Sequence, residues 1–236
     1  MRDKLKDENY FYALIEKEKN NITMFENLVK RAIVEKGEAD RGVCNGYNIL
    51  IQSYQKIVNL LYSCGEDLKS IEGWYKKLLY YYGKMWSRKY GYIELIKVLS
   101  LAVLFEVDKA EISELENKII SENFHDYLVN VLIKRIDFSW INSGTEFEFP
   151  QIYDSLKVIL NNEESLACGL LKEYLQEKWY DIHKECAWYN SHESSKNLYC
   201  GYWSFEAGAI AKILQLDDST LKNLSYYPYD LVHYKE

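Results

Sequence analysis

Proline occurs twice in this 236-residue chain, cysteine five times, and no apolar run is long enough to cross a bilayer. Each shortage removes a class of protein. With so little proline and 48% hydrophobic residues, a flexible low-complexity chain is excluded and an ordered globular one is expected. Cys44, Cys64, Cys168, Cys186 and Cys200 are odd in number and widely spaced, without a Cys-x-x-Cys pair. That pattern argues against a disulfide framework and for a reduced, cytoplasmic protein. The most hydrophobic stretch, residues 90–107, is interrupted by Glu94, Lys97 and Glu106. It falls short of the roughly 20 apolar residues that a membrane span needs. The charged N-terminus carries no signal-peptide pattern. Motifs that mark common catalytic sites are also missing: no Gly-x-Ser-x-Gly, no Gly-x-x-x-x-Gly-Lys phosphate loop and no Gly-x-Gly-x-x-Gly. These absences point to a protein that is not an enzyme and that needs no cofactor.

Basic residues are scarce in one half only. Residues 1–120 hold 19 Lys/Arg and 18 Asp/Glu, a net +1, whereas residues 121–236 hold 10 and 18, a net −8. Phosphate contacts need clustered Lys and Arg, so the acidic half is a poor nucleic-acid binder and a good match for a basic protein surface. Tyrosine is abundant, with 22 copies beside six tryptophans. Both are large, stiff, amphipathic side chains favoured in interface hot spots. Between residues 181 and 193, acidic and aromatic residues coincide: Asp181, Glu185, Trp188, Tyr189, His192 and Glu193. An exposed loop presenting them is the candidate partner-binding site.

Apolar residues recur at three- and four-residue steps almost throughout, which predicts an all-α protein. Residues 11–33 predict a long helix with a polar patch and a kink at Asn20-Asn21, stopped by Gly37. Residues 43–61 predict a second helix ending near Gly65, and Asp67 caps a third. Residues 90–105, apolar nearly all round, predict the most buried helix of an antiparallel four-helix bundle. A polar segment near residue 110 suggests two helical domains, 1–110 and 111–236. In the second, residues 139–145 read as loop and 146–150 as extended chain stopped by Pro150, and Ile152, Leu156, Ile159 and Leu160 mark the next helix. One long helix follows Asn162 as far as residue 182, and a helix from Ser204 to Gln215 precedes an extended aromatic tail.

That last helix opens the most distinctive stretch, Tyr-Cys-Gly-Tyr-Trp-Ser-Phe-Glu-Ala-Gly-Ala-Ile-Ala-Lys over residues 199–212. Gly201 permits a turn that a side chain would obstruct. Ser204 is the expected N-cap, accepting from a first-turn amide, and Glu206 complements the helix dipole. The small residues Ala207, Gly208, Ala209 and Ala211 predict a close helix contact behind an aromatic plug. A zinc site from His183, Cys186, His192 and Cys200 is the competing chemistry, but the spacing lacks a tight second ligand pair, so no metal is expected.

The stretch 199–212, with the tail Ser-Tyr-Tyr-Pro-Tyr-Asp-Leu-Val-His-Tyr over residues 225–234, resembles the C-terminal domain of the PoNi family. These are bacterial immunity proteins that neutralise PoNe-type DNase toxins. The opening Met1-Arg2-Asp3-Lys4-Leu5 and Glu8-Asn9-Tyr10-Phe11 resemble the start of the family's N-terminal domain. The resemblance implies an immunity protein whose partner is a cognate DNase toxin, acting without direct nucleic-acid or membrane binding. It leaves the oligomeric state open. It singles out Gly201, Tyr202, Trp203, Glu206, Gly208, Tyr227, Pro228 and Asp230 as a structural motif. Two alternatives stand beside it: a helical interaction module without a toxin partner, and a small metal-dependent enzyme built on the His/Cys set.

Overall fold

The computed structural model describes residues 1–142 and 144–235, and every regular element among them is helical. Ser143, inside the loop expected over 139–145, lies outside the described residues. The chain forms two compact units, each assembled from two separate stretches.

The first unit comprises Met1–Trp86 and Asn190–Gly201. Its body is three helices: α1 (Glu8–Lys36), α2 (Arg41–Cys64) and α3 (Leu68–Met85). Each starts at an aspartate whose side chain accepts from a first-turn amide: Asp7 from Tyr10, Asp40 from Gly42 and Asp67 from Ser70. Gly65 closes α2 in the left-handed region, φ 94°, where its N–H bonds back to Leu61 and Tyr62. Linkers this short make consecutive helices antiparallel, and α2 packs against both α1 and α3. Phe11, Ile15 and Ile22 of α1 are buried in this unit's core, as are Leu50, Tyr54 and Ile57 of α2 and Ile71 and Tyr75 of α3. The expected kink at Asn20-Asn21 is absent, because α1 runs unbroken for 29 residues.

The second unit comprises Ser87–Tyr189 and Tyr202–Glu236. It begins well before residue 111, because α4 (Tyr92–Leu104) packs on α6 (Tyr127–Ile136) and α10 (Phe205–Leu214). Ten of the thirteen α4 residues are buried. A helix apolar on every side needs cover on more than one face, and α6 and α10 supply it. The expected four-helix bundle is therefore a three-helix unit, with the fourth helix at the centre of the other unit. Between α4 and α6 lies α5 (Lys109–Ser121), closed at its start by a reciprocal capping box of Asp108 and Glu111.

The helix expected over 152–160 begins two residues earlier: the non-helical chain of residues 146–149 ends at Pro150, which itself opens α7 (Pro150–Leu160). Its missing N–H costs nothing at the first helical position, and its φ is already helical. The long helix expected after Asn162 exists as α8 (Glu164–Glu173), a π-helical turn Tyr174–Lys178 and α9 (Trp179–Ile182). The tail expected to be extended contains a short helix, α11 (Tyr229–Val232). No helix among the described residues is long and apolar enough to cross a membrane.

Candidate functional site

The motif around Glu206 is a structural clamp. All residues from Phe205 to Lys212 of α10 are buried, and Glu206 is only 5% exposed. One of its oxygens, Oε1, accepts from Trp179 Nε1 at 2.6 Å, Ser204 Oγ at 2.8 Å and Tyr174 Oη at 3.2 Å. Three donors converge because a buried carboxylate must be compensated. Tyr174 and Trp179 can both reach it only because the chain between them is π-helical. Five residues in an α-helix turn roughly 140° too far to share a face, whereas here the Trp179 N–H bonds to the Tyr174 carbonyl and brings the two side chains together. Burial and the neighbouring Glu206 push the Tyr174 phenol well above its ordinary pKa.

Ser204 occupies the N-cap position, but its hydroxyl donates to Glu206 instead of accepting from a first-turn amide. Its own N–H donates to the Tyr226 carbonyl at 2.8 Å, tying the helix start to the tail. Gly208 explains the small face of α10. A Cβ there would stand 2.6 Å from Pro228 Cγ and 3.3 Å from Val232 Cγ2. Tyr227 donates to Asp218 Oδ2 at 2.5 Å, and His233 Nε2 lies 2.9 Å from Asp218 Oδ1. Lys212 holds the end of the tail, donating to the carbonyls of Val232 and Tyr234 at 2.8 and 3.0 Å while pairing with Glu106 at 2.8 Å. Trp203 is half-buried and Asp230 exposed.

Gly201 takes φ 105° and is the last residue of the first unit. Just before it, Tyr199 engages the N-terminal segment. Its N–H and carbonyl bracket the Tyr10 hydroxyl at 3.1 and 3.0 Å, its own hydroxyl donates to Asp3, and Ser63 donates to the Cys200 carbonyl at 3.0 Å. The Met1–Leu5 and Tyr10-Phe11 stretches thus meet the start of the 199–212 stretch inside one unit.

The acidic-aromatic set of residues 181–193 divides between the units. Asp181, Glu185, Trp188 and Tyr189 belong to the second; His192 and Glu193 belong to the first. Asp181, Glu185 and Glu193 are exposed, but Trp188 and Tyr189 are half-buried in an aromatic stack and not displayed freely. Trp188 lies parallel to Trp179 at 5.6 Å, and Tyr189 to Tyr180 at 4.4 Å; Tyr180 stacks in turn on Tyr226 at 5.6 Å. These rings stiffen the segment that carries the two carboxylates. Two further exposed acids, Glu173 and Glu177, continue the four-residue spacing of Asp181 and Glu185. That spacing is present in the sequence, where the coincidence of acidic and aromatic residues over 181–193 is the stronger signal. Counted by unit, the first carries 15 Lys/Arg against 13 Asp/Glu, net +2, and the second 14 against 23, net −9.

The His/Cys set is divided between the two units. His183 and Cys186 lie in the second unit, His192 and Cys200 in the first. His183 Nδ1 donates to the Trp179 carbonyl at 2.7 Å, and its ring packs against Trp179 and Trp188 at 5.2 and 5.3 Å. Burial, helped by Glu94, pushes the Cys186 thiol up to about 11, so it carries little of the thiolate that binds metal. Among the described residues no group of three His, Cys, Asp or Glu is arranged to hold a metal ion.

Comparison with protein-family models returns two matches. Residues 2–117 are similar to "PoNe immunity protein (PoNi), N-terminal", and residues 124–231 to "PoNe immunity proteins (PoNi), C-terminal". No curated protein and no solved structure matches.

Proposed function

Given that the chain belongs to the PoNe immunity protein family, we propose that it binds a cognate PoNe-type DNase toxin in the bacterial cytoplasm and neutralises it without catalysis of its own. The observation that carries this reading is the pair of family matches, which together span nearly the whole chain. The proposed mechanism is occlusion helped by charge. A nuclease offers a basic surface to DNA, and the second unit, net −9, offers carboxylates to that surface.

The contact is assigned to Asp181 and Glu185 together with Glu173 and Glu177, all exposed; Glu173 also pairs with Lys178 at 2.8 Å, and Glu185 stands in the turn that follows α9. Their side chains would stand where DNA phosphates lie. The aromatic stack of Tyr180, Trp188 and Tyr189 supports this face by keeping it rigid, which lowers the ordering cost of association. Glu206 and Asp218 are committed to internal hydrogen bonds and have a structural role.

The test is to express the chain with the toxin encoded beside it. A stable complex, protection of cells from that toxin and loss of DNA cleavage in vitro are expected. A toxin that neither co-purifies with the chain nor is inhibited by it would sink the reading.

A further inference from the structure

We propose that the loop after α6 is a second docking point, in which Phe138 and Ile141 insert into an apolar, acid-rimmed socket on the toxin. The proposal rests on the immunity reading for the identity of the partner. It adds a contact surface separate from the acidic face.

The loop inverts the ordinary rule of burial. Phe138 is 88% exposed and Ile141 92%, whereas Asp137 between α6 and Phe138 is only 6% exposed. Phe and Ile are among the residues most often buried, and Asp is almost never buried unless paired. The inversion is built in by specific bonds. Asp137 Oδ1 accepts from the Ser139 N–H at 2.8 Å and the Ser139 hydroxyl at 2.7 Å, and Asp137 Oδ2 pairs with Lys109 at 2.9 Å. The Trp140 N–H closes a turn onto the Asp137 carbonyl at 3.1 Å. Trp140 points inward, donating from Nε1 to Asn130 Oδ1 at 3.0 Å. Asn142 donates to the Phe124 carbonyl at 2.8 Å and accepts from His125 at 2.6 Å. The polar residues thus anchor the backbone, and the two apolar side chains between them are held out in water.

A rigid aromatic-aliphatic pair is the kind of group that supplies an interface hot spot, because little entropy remains to be lost on binding. Charge says what the socket is like. Lys134 and Arg135, in the last turn of α6, are exposed and form no ion pair among the described residues. Asp137, the nearest carboxylate in sequence, is already taken by Lys109. The rim of this knob is therefore cationic within a unit of net −9. It fits an acid-rimmed socket and is repelled by the basic DNA-binding surface that the acidic face suits. The two contacts engage different parts of the toxin.

The experiment measures affinity for the cognate toxin with the full chain and the double variant Phe138→Ser/Ile141→Ser. A loss of about 10- to 100-fold is expected, carried mostly by faster dissociation, with an unchanged melting temperature because both side chains are exposed. Lys134→Glu/Arg135→Glu should weaken binding in the same direction. The control is Val34→Ser/Leu198→Ser, which removes apolar groups 87% and 57% exposed from the first unit and should leave affinity unchanged. Unaltered affinity of the loop variant, where wild type binds and neutralises the toxin, overturns the docking point and leaves the immunity reading standing. So does a finding that the loop variant abolishes self-association instead, or binding to vesicles of mixed phosphatidylcholine and phosphatidylserine. Failure of the wild-type chain to bind any toxin overturns both.

Discussion

Tyr199 donates its hydroxyl to the carboxylate of Asp3, 196 residues earlier in the chain. Both groups are buried, so neither can fall back on water if the other is removed. Asp3 also accepts from the Leu5 N–H at 2.8 Å, while the N–H groups of Arg2 and Asp3 donate to the Ser63 carbonyl at 3.0 Å. The N-terminal segment is thereby fixed to the end of α2 and to the 190–201 stretch. Replacing Tyr199 by Phe keeps the ring against Phe11, 6.3 Å between centroids, and removes only the hydroxyl. A loss of about 1–3 kcal/mol in denaturant unfolding is expected, since the bond is buried and charge-assisted. An unfolding midpoint equal to that of wild type would show the clasp to be dispensable.

Gly208→Leu should be more damaging than its mid-helix position suggests. Even a Cβ would meet Pro228 at 2.6 Å, and forcing bulk into a packed contact costs about 1–3 kcal/mol or more. The melting temperature should fall, and near-ultraviolet circular dichroism should report disturbance of the tyrosines in the tail. Gly73, exposed and with nothing within 4 Å of its Cβ position, is the matched site where Leu should be tolerated.

Glu116 sets a pH dependence of stability. Its side chain is 6% exposed with Oε1 unpartnered. Burial first, and Asp137 second, raise its pKa to about 6, and Lys109 opposes them only in part. A carboxyl raised in the folded state favours folding while neutral, so its contribution is present below the unfolded value near 4.5 and is lost as pH rises through about 6. A shift of this size corresponds to roughly 2 kcal/mol. Glu116→Gln should therefore stabilise the protein at pH 7 by about 1–2 kcal/mol, with the gap from wild type small below the lower of those pH values and opening as pH rises between them. Chemical denaturation across that range checks it; a variant less stable than wild type at pH 7 would contradict the assignment.

The acidic face should act on association more than on stability. Reversing Asp181 and Glu185 to Lys should slow association with the toxin about 3- to 10-fold at low salt and leave the melt of the free protein nearly unchanged. The effect should shrink toward physiological ionic strength, where the Debye length is ~8 Å. Glu16→Lys/Glu35→Lys in the near-neutral first unit is the control, and Glu193→Lys is a separate arm because that residue belongs to the first unit. Stopped-flow or surface-binding kinetics at two salt concentrations decide the matter. If the control pair proves the damaging one, or the rate ignores salt, the acidic-face mechanism is wrong even with immunity intact.

Local chemistry determined the helices, and the sequence alone carries it. An aspartate before an apolar periodic run starts α1, α2 and α3, and Gly37 and Gly65 end the first two, because caps act on the few residues beside them. The same locality explains the misreadings. Ser204 stands where an N-cap should, yet its hydroxyl turns to Glu206, since a buried carboxylate attracts a donor more strongly than a free amide attracts an acceptor. The short helix 229–232 was hidden because proline marks a helix start as readily as the end of an extended segment, whereas the helix expected over 152–160 is present and begins two residues earlier, at Pro150. What only the tertiary structure decided is which faces are covered. Trp188 and Tyr189 are drawn into a stack by Tyr180, Trp179 and Tyr226, and α4 is taken into the second unit by α6 and α10. Phe138 and Ile141 are left in water because Asp137, Trp140 and Asn142 hold the backbone that way. Periodicity says that a residue is apolar; whether a neighbour distant in sequence arrives to bury it is settled by packing, and packing is not a local property.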